Sequence, residues 1–206
     1  MIFRRRTKEA TANAFEKALG PTLGAVATFG LEIVQIAVLA LVIIVITRHF
    51  LILPFIVKGA SMEPNFYDNE YLIVDEVTYR FREPERGEIV VFHPPGNEGQ
   101  YYIKRVIGLP GEKVEVRDSH VTIYNDAFPN GTTLDETYLT ESTTGKDLVT
   151  LGENEYYLMG DNRDASLDSR VFGFVPKANL VGRVWIRGLP LEKAQAFMAP
   201  DYNYTK

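Results

Sequence analysis

Two residues have the chemistry of a nucleophile and of a base that works without histidine, and each sits where the chain is apolar or tightly turned. Ser61 lies in LPFIVKGASMEPN, where an apolar extended run ends in a Gly-Ala-Ser-Met-x-Pro turn. Gly59 and Ala60 allow another backbone to approach closely, and Pro64 stiffens the exit. Lys104 lies in QYYIKRVIGLPGE, in the middle of a strand-like run. Side chains alternate along a strand, so Lys104 shares a face with Tyr102 and Val106 while Arg105 points the other way, and one of the two cations is expected to point inward. Burial disfavours a charged amine and lowers its pKa from about 10.4 by as much as several units, which turns a lysine into a base. A third segment, MGDNRDASLDSRVFGFVP, crowds Asp161, Asn162, Arg163, Asp164, Ser166, Asp168, Ser169 and Arg170 together after a strand. Ion pairs and a hydroxyl donor of this kind suit the support of a buried amine. Taken singly, a serine in a turn, a lysine in a strand and a charged loop are ordinary structural features.

Other chemistries have no sequence support. The chain contains no G-x-S-x-G, S-x-x-K, H-E-x-x-H or G-x-x-x-x-G-K-[ST] pattern, and its three histidines (His49, His93, His120) fall in no recognisable triad. It has no cysteine, which removes disulfide scaffolds, thiolate zinc sites and a catalytic thiol. The formal charge of −5 is polarised: residues 1–58 hold 7 Lys/Arg against 3 Asp/Glu, and the remainder holds 15 against 24. An acidic body without a basic stripe argues against nucleic acid as a partner, because phosphate binding draws on clustered cations.

The elements that must carry these residues are a helix and a set of strands. Between Phe29 and Phe50 the chain reads FGLEIVQIAVLALVIIVITRHF, without a charge from Ile33 to Ile46 and apolar on every face. With its apolar flanks it supplies the roughly 20 residues needed to cross about 30 Å of hydrocarbon, so residues 29–50 are expected to form a single transmembrane helix. Arg4, Arg5, Arg6, Lys8 and Lys17 precede it, which by the positive-inside bias puts residues 1–28 in the cytoplasm and residues 51–206 outside. Thr47, Arg48, His49 and Phe50 follow the apolar run where a cleavable leader would carry small residues, so the anchor is expected to be retained. Beyond residue 54, runs rich in β-branched and aromatic residues (70–77, 87–93, 100–109, 112–118, 120–125, 154–160 and 180–188) alternate with Pro, Gly, Asn and Asp clusters. The fold class expected is mainly β: one N-terminal transmembrane helix followed by a β-rich domain. PLEKAQAFMAP near the end is expected to form a short helix, and residues 137–147 a loop.

At these segments the sequence resembles the bacterial type I signal peptidases, membrane-anchored Ser-Lys proteases that remove signal peptides from exported proteins. Four ordered stretches carry the resemblance: Gly59-Ala60-Ser61-Met62-Glu63-Pro64, Arg86-Gly87-Glu88-Ile89-Val90-Val91-Phe92, residues 102–112 around Lys104, and Gly160 to Arg170. By position it implies Ser61 as nucleophile, Lys104 as general base, Ser166 as a hydrogen-bond partner of the lysine amine, and Asp168 with Arg170 as a steadying ion pair. Where some members carry an oxyanion-binding serine this chain has Gly59, which leaves that role to backbone N–H groups such as that of Ser61. The resemblance further implies substrate binding as an added β-strand, with Phe55, Val57, Met62, Tyr102 and Ile103 lining shallow pockets that select Ala-x-Ala sites. It also implies signal-peptide-bearing preproteins and the bilayer as partners, a monomer, a site at the membrane surface, and neither metal nor organic cofactor. The stretch from Val114 to Glu155 is short beside members with a large second domain, so at most a small hairpin or loop extension is expected there. Two rivals share some of these features: an anchored β-rich binding or assembly module without catalysis, and a self-cleaving repressor-type Ser-Lys protease, which has no anchor.

The apolar segment makes the first prediction. After cell breakage the protein is expected in the membrane fraction and to require detergent for release; recovery in the soluble fraction without detergent would defeat the anchor.

Overall fold

The computed structural model describes residues 17–18, 20–50, 52–199 and 202. The basic residues Arg4, Arg5, Arg6 and Lys8 of the expected cytoplasmic segment lie outside the described residues. The chain divides into two compact units between His49 and Phe50, the long helix in the first and all strands in the second.

Helix α1 spans Pro21–Phe50. It begins well before residue 29 because Gly20, at φ +83, turns the chain into it, and Pro21 at the first position has its φ already set for a helix. The Gly24 N–H closes the first turn on the Gly20 carbonyl at 2.8 Å. Its apolar part, Pro21–Val45, is 25 residues long, and its most apolar 18 residues include none that is buried. At 1.5 Å per residue this stretch is about 37 Å long, enough to cross a bilayer.

The second unit contains two antiparallel sheets. The main sheet has the path β1 (Ile52–Ile56), β2 (Tyr71–Asp75), β11 (Leu180–Leu189), β3 (Ile89–Phe92), β4 (Tyr102–Gly108), β9 (Glu155–Met159) and β10 (Val175–Pro176), with β12 (Gln195–Ala196) on β11. The smaller sheet runs β7 (Phe128–Thr133), β6 (His120–Asn125), β5 (Lys113–Arg117) and β8 (Asp147–Thr150). The two-residue β5–β6 turn holds Asp118 and Ser119 at φ 50 and 68, the left-handed pair that suits a tight hairpin.

Three features depart from the sequence reading. The stretch from Val114 to Glu155 builds a four-stranded sheet rather than a hairpin or loop extension, because a turn-like segment and a four-residue run too short to stand out pair at its edges. FPNGTT becomes β7 against β6, its proline tolerated on an edge strand, and DLVT becomes β8 against β5. PLEKAQAFMAP is not a helix beyond a single turn at Leu191–Lys193: Gln195 and Ala196 pair with β11, the Phe197 N–H bonds the Trp185 carbonyl, and the Phe197 ring packs on Phe66. Finally, both Lys104 and Arg105 are buried, since β4 is covered on both faces. Ile103, Val106 and Ile107 of that strand each belong to a different core cluster.

Residues of the two sheets pack tightly at the end of β4. A Cβ on Gly108 would lie 2.5 Å from Val114 Cγ2, 2.8 Å from Leu151 Cδ1 and 2.9 Å from Tyr157 Cβ. Gly108→Ala is therefore expected to destabilise the body by about 1–3 kcal/mol, read as a melting temperature several degrees lower; an unchanged melting temperature would contradict this packing.

Candidate active site

Ser61 is held by a turn whose hydrogen bonds are made locally. The Asn69 N–H bonds the Val57 carbonyl and the Val57 N–H the Glu70 carbonyl, both at 3.0 Å, which lays residues 57–60 beside the following loop. Gly59 sits at φ +84, a region that side chains avoid, and its N–H donates to Asp68 Oδ1 at 2.9 Å. From the other side the Asn162 N–H donates to the Ser61 carbonyl at 3.1 Å, so the late polar segment grips the serine through its backbone. Gly160 is required at this contact: a Cβ there would lie 2.5 Å from the Ser61 carbonyl oxygen and collide with the Ser166 side chain.

Lys104 reaches the same point from β4. Its Nζ lies 2.7 Å from Ser61 Oγ and 2.9 Å from the Ile103 carbonyl oxygen, and no carboxylate contacts it within ion-pair distance among the described residues. The residue is 3% exposed. Burial brings the amine down to about 8; Asp168 and Asp161 act against that fall, and Arg170 adds to it. An amine with such a pKa is partly neutral at physiological pH and can accept a proton, which a lysine in water does not do.

The surrounding charges are paired in forks. Arg105 donates from Nε and Nη2 to Asp161 at 2.8 and 2.6 Å, and Asn65 Nδ2 donates to the same carboxylate at 2.9 Å. Arg170 donates from Nε and Nη2 to Asp168 at 2.9 and 2.8 Å. Asp168 also accepts the Gly160 N–H at 3.0 Å and caps helix α2 (Ser169–Phe172) through the Arg170 N–H. Burial pushes the Asp168 carboxyl up, but the Arg170 fork and the Gly160 N–H outweigh it and hold the group below its ordinary value. Ser166 differs from the implied arrangement. Its Oγ is buried and makes no hydrogen bond to the Lys104 amine, which is directed to Ser61 and Ile103; it lies instead beside Asp168, where it helps hold that carboxyl down.

A cleft of about 580 Å³ opens beside Ser61 and Lys104, with Phe55 and Ile56 of β1, Tyr101, Tyr102 and Ile103 around the start of β4, and Leu167 among its walls. β1 and β4 have three strands between them in the sheet yet share this cleft, so the sheet curls. Of the expected pocket residues, Phe55, Tyr102 and Ile103 line the cleft. Val57 and Met62 do not: they are fully buried in the core cluster against which Phe55 packs. Sequence reasoning left Asn65, Asp161, Arg163 and Glu136 without a role. Asp161 and Arg163 sit inside the motif already singled out, whereas nothing in the local sequence marks Asn65 or Glu136.

Comparison with known proteins places this chain in a family. A family model described as signal peptidase, peptidase S26 matches residues 30–188. The chain is 37% identical over 169 residues to a probable signal peptidase I-2 of Synechocystis sp., covering 79% of this chain and 75% of that protein. It is 35% identical over 188 residues to signal peptidase IB of Staphylococcus aureus, covering 82% and 94%. A crystal structure of a signal peptidase I from Enterococcus faecalis, 38% identical, matches with a TM-score of 0.43 over 50% of this chain and 97% of that one. On the extent of the family match and the identity to these relatives, the chain belongs to the signal peptidase family, peptidase S26.

Proposed function

We propose that this protein is a membrane-anchored serine endopeptidase that removes signal peptides from preproteins after small residues, with Ser61 as nucleophile and Lys104 as general base. The observation that carries this reading is the 2.7 Å approach of a buried amine, uncompensated by a contacting carboxylate, to the Ser61 hydroxyl at the edge of an apolar cleft. With the amine neutral, Ser61 donates its proton to Nζ as Oγ attacks the scissile carbonyl. Backbone N–H groups, that of Ser61 among them, stabilise the oxyanion. Collapse expels the new amino terminus, which takes the proton from Lys104, and leaves Ser61 as an ester. Lys104 then deprotonates the water that hydrolyses it.

Strand addition is supported by two unpaired edges at the cleft. Among the described residues β1 pairs only with β2, and β4 gains its second neighbour, β9, only from Arg105 onward. An extended peptide between them has backbone partners on either side, while Phe55, Tyr102 and Ile103 leave room for small side chains. The anchor reading rests on α1, and the basic residues before it orient the N-terminus to the cytoplasm and the body outward. A cross-strand row of exposed apolar residues on the body (Ile56, Tyr71 and Leu189) suits work at a lipid surface. Ser61, Lys104, Asp168 and Arg170 all come from one chain, so a monomer suffices.

Two measurements test this. Detergent-solubilised wild type is expected to cleave a preprotein bearing an Ala-x-Ala site, and Ser61→Ala and Lys104→Ala each to lose about a thousandfold or more. As part of the same comparison of wild type and variants, a serine-directed acylating probe should label Ser61 in a Lys104-dependent way, whereas a binding module would not label. The second is the pH profile. The neutral amine is the active form, so kcat/KM should rise about tenfold per pH unit below about 8 and level off above it; a flat profile from pH 6 to 9 would remove Lys104 as the base.

A further inference from the structure

The segment between β7 and β8 touches the late polar loop at four points. Glu136 takes the Arg163 guanidinium in a two-pronged ion pair, Nη1 at 3.0 Å from Oε2 and Nη2 on Oε1, and Thr143 Oγ1 also accepts from Arg163. Thr144 contributes its carbonyl to Arg170 at 2.8 Å and its hydroxyl to Asp164 at 2.7 Å. The Tyr138 ring lies under the Arg105 guanidinium, 4.0 Å from its centroid, and the Tyr138 carbonyl accepts from the Asn65 side-chain amide, which also donates to Asp161.

Of these contacts, the Glu136 fork leads most directly to the reacting groups. Arg163 is 2% exposed, and its Nε donates to the Gly160 carbonyl at 3.0 Å. The Gly160 N–H is taken by Asp168, and a Cβ at Gly160 would run into the Ser61 carbonyl and Ser166. The Arg163 carbonyl in turn accepts from Arg170 at 2.7 Å, so the guanidinium that forks Asp168 also anchors this residue. Gly160 is thus fixed at both its N–H and its carbonyl, and the second of these ties runs through a buried cation whose carboxylate comes from the smaller sheet's connection.

We propose that Glu136 is a positioning residue for the Ser61–Lys104 pair, holding the Gly160 peptide in register through Arg163, so that the smaller sheet serves as a brace for the catalytic loop. This rests on the proposed dyad. Glu136 touches neither Ser61 nor Lys104 and acts only through the loop. If the loop relaxes, Ser61 loses its backbone grip, and water reaches the amine, whose state is otherwise governed by burial and by Asp168, Asp161 and Arg170.

The test uses the detergent-solubilised full chain and an Ala-x-Ala preprotein. Glu136→Gln is expected to lower kcat about 10- to 100-fold with KM nearly unchanged, and to move the rising limb of the pH profile above 8; Glu115→Gln, on the same small sheet, should leave both as in wild type. Because Glu136→Gln strands a buried guanidinium, the double variant Glu136→Gln with Arg163→Met removes both charges together. The brace predicts that this variant folds, melts like wild type and still shows the low kcat and the displaced limb. Wild-type kcat and pH limb in the double variant would overturn the proposal, as would loss of folding in both variants, which would make the pair a folding determinant. If wild-type cleavage survives Ser61→Ala or Lys104→Ala, the dyad reading itself has failed, and that result is separable from any outcome at Glu136.

Discussion

A lysine amine taken out of water and set against a serine hydroxyl is the constraint around which this protein is organised. Burying a charge is costly unless it is paired or discharged, and the three arginines near the site take the first course. Arg105, Arg163 and Arg170 are each forked by a carboxylate, from Asp161, Glu136 and Asp168. Lys104 takes the second in part, its pKa lowered by burial to about 8. It hydrogen-bonds one hydroxyl and one carbonyl, and the carboxylates that act on it do so from beyond contact. Had one of them contacted the amine, the ammonium form would be favoured and the base lost.

That arrangement has an energetic signature. Below about pH 8 both the folded and unfolded chains hold the proton, and the folded state bears the full cost of a buried cation. Between about pH 8 and the ordinary value of 10.5 the folded state has released it, and the cost falls away as pH rises. The cost is met by a strand buried on both faces. β4 places Ile103, Val106 and Ile107 in three separate core clusters, so the backbone that carries Lys104 is held by packing on every side. The polar loop that grips Ser61 is held differently, by arginine forks and backbone hydrogen bonds, and a glycine at 160 lets the two segments meet.

Much of this was legible residue by residue. The apolar helix, the strands built of β-branched and aromatic residues, the Gly-Ala-Ser turn, the lysine in mid-strand and the Asp161–Arg170 cluster are all visible as local patterns, because helix and strand periods and turn chemistry are properties of neighbouring residues. FPNGTT and the PLEKAQAFMAP tail misled for the converse reason. Their local character is that of turns and a helix, and pairing with β6 and β11 overrode it. Val57 and Met62 were expected at the pocket on the strength of position alone, and packing put them in the core.

The sequence by itself determined which groups were available: a hydroxyl, an amine with apolar neighbours, an excess of carboxylates and guanidiniums in one loop, and a helix long enough for a bilayer. Only the tertiary structure decided which of them meet. Ser61 and Lys104 are 43 residues apart, Arg105 and Asp161 56, and Glu136 and Arg163 27. Contacts at such separations depend on how a sheet curls and how its loops return, which no local pattern encodes. The lysine's usefulness as a base was settled at that level too, since pKa follows from burial and from the distances to charges that the fold alone sets.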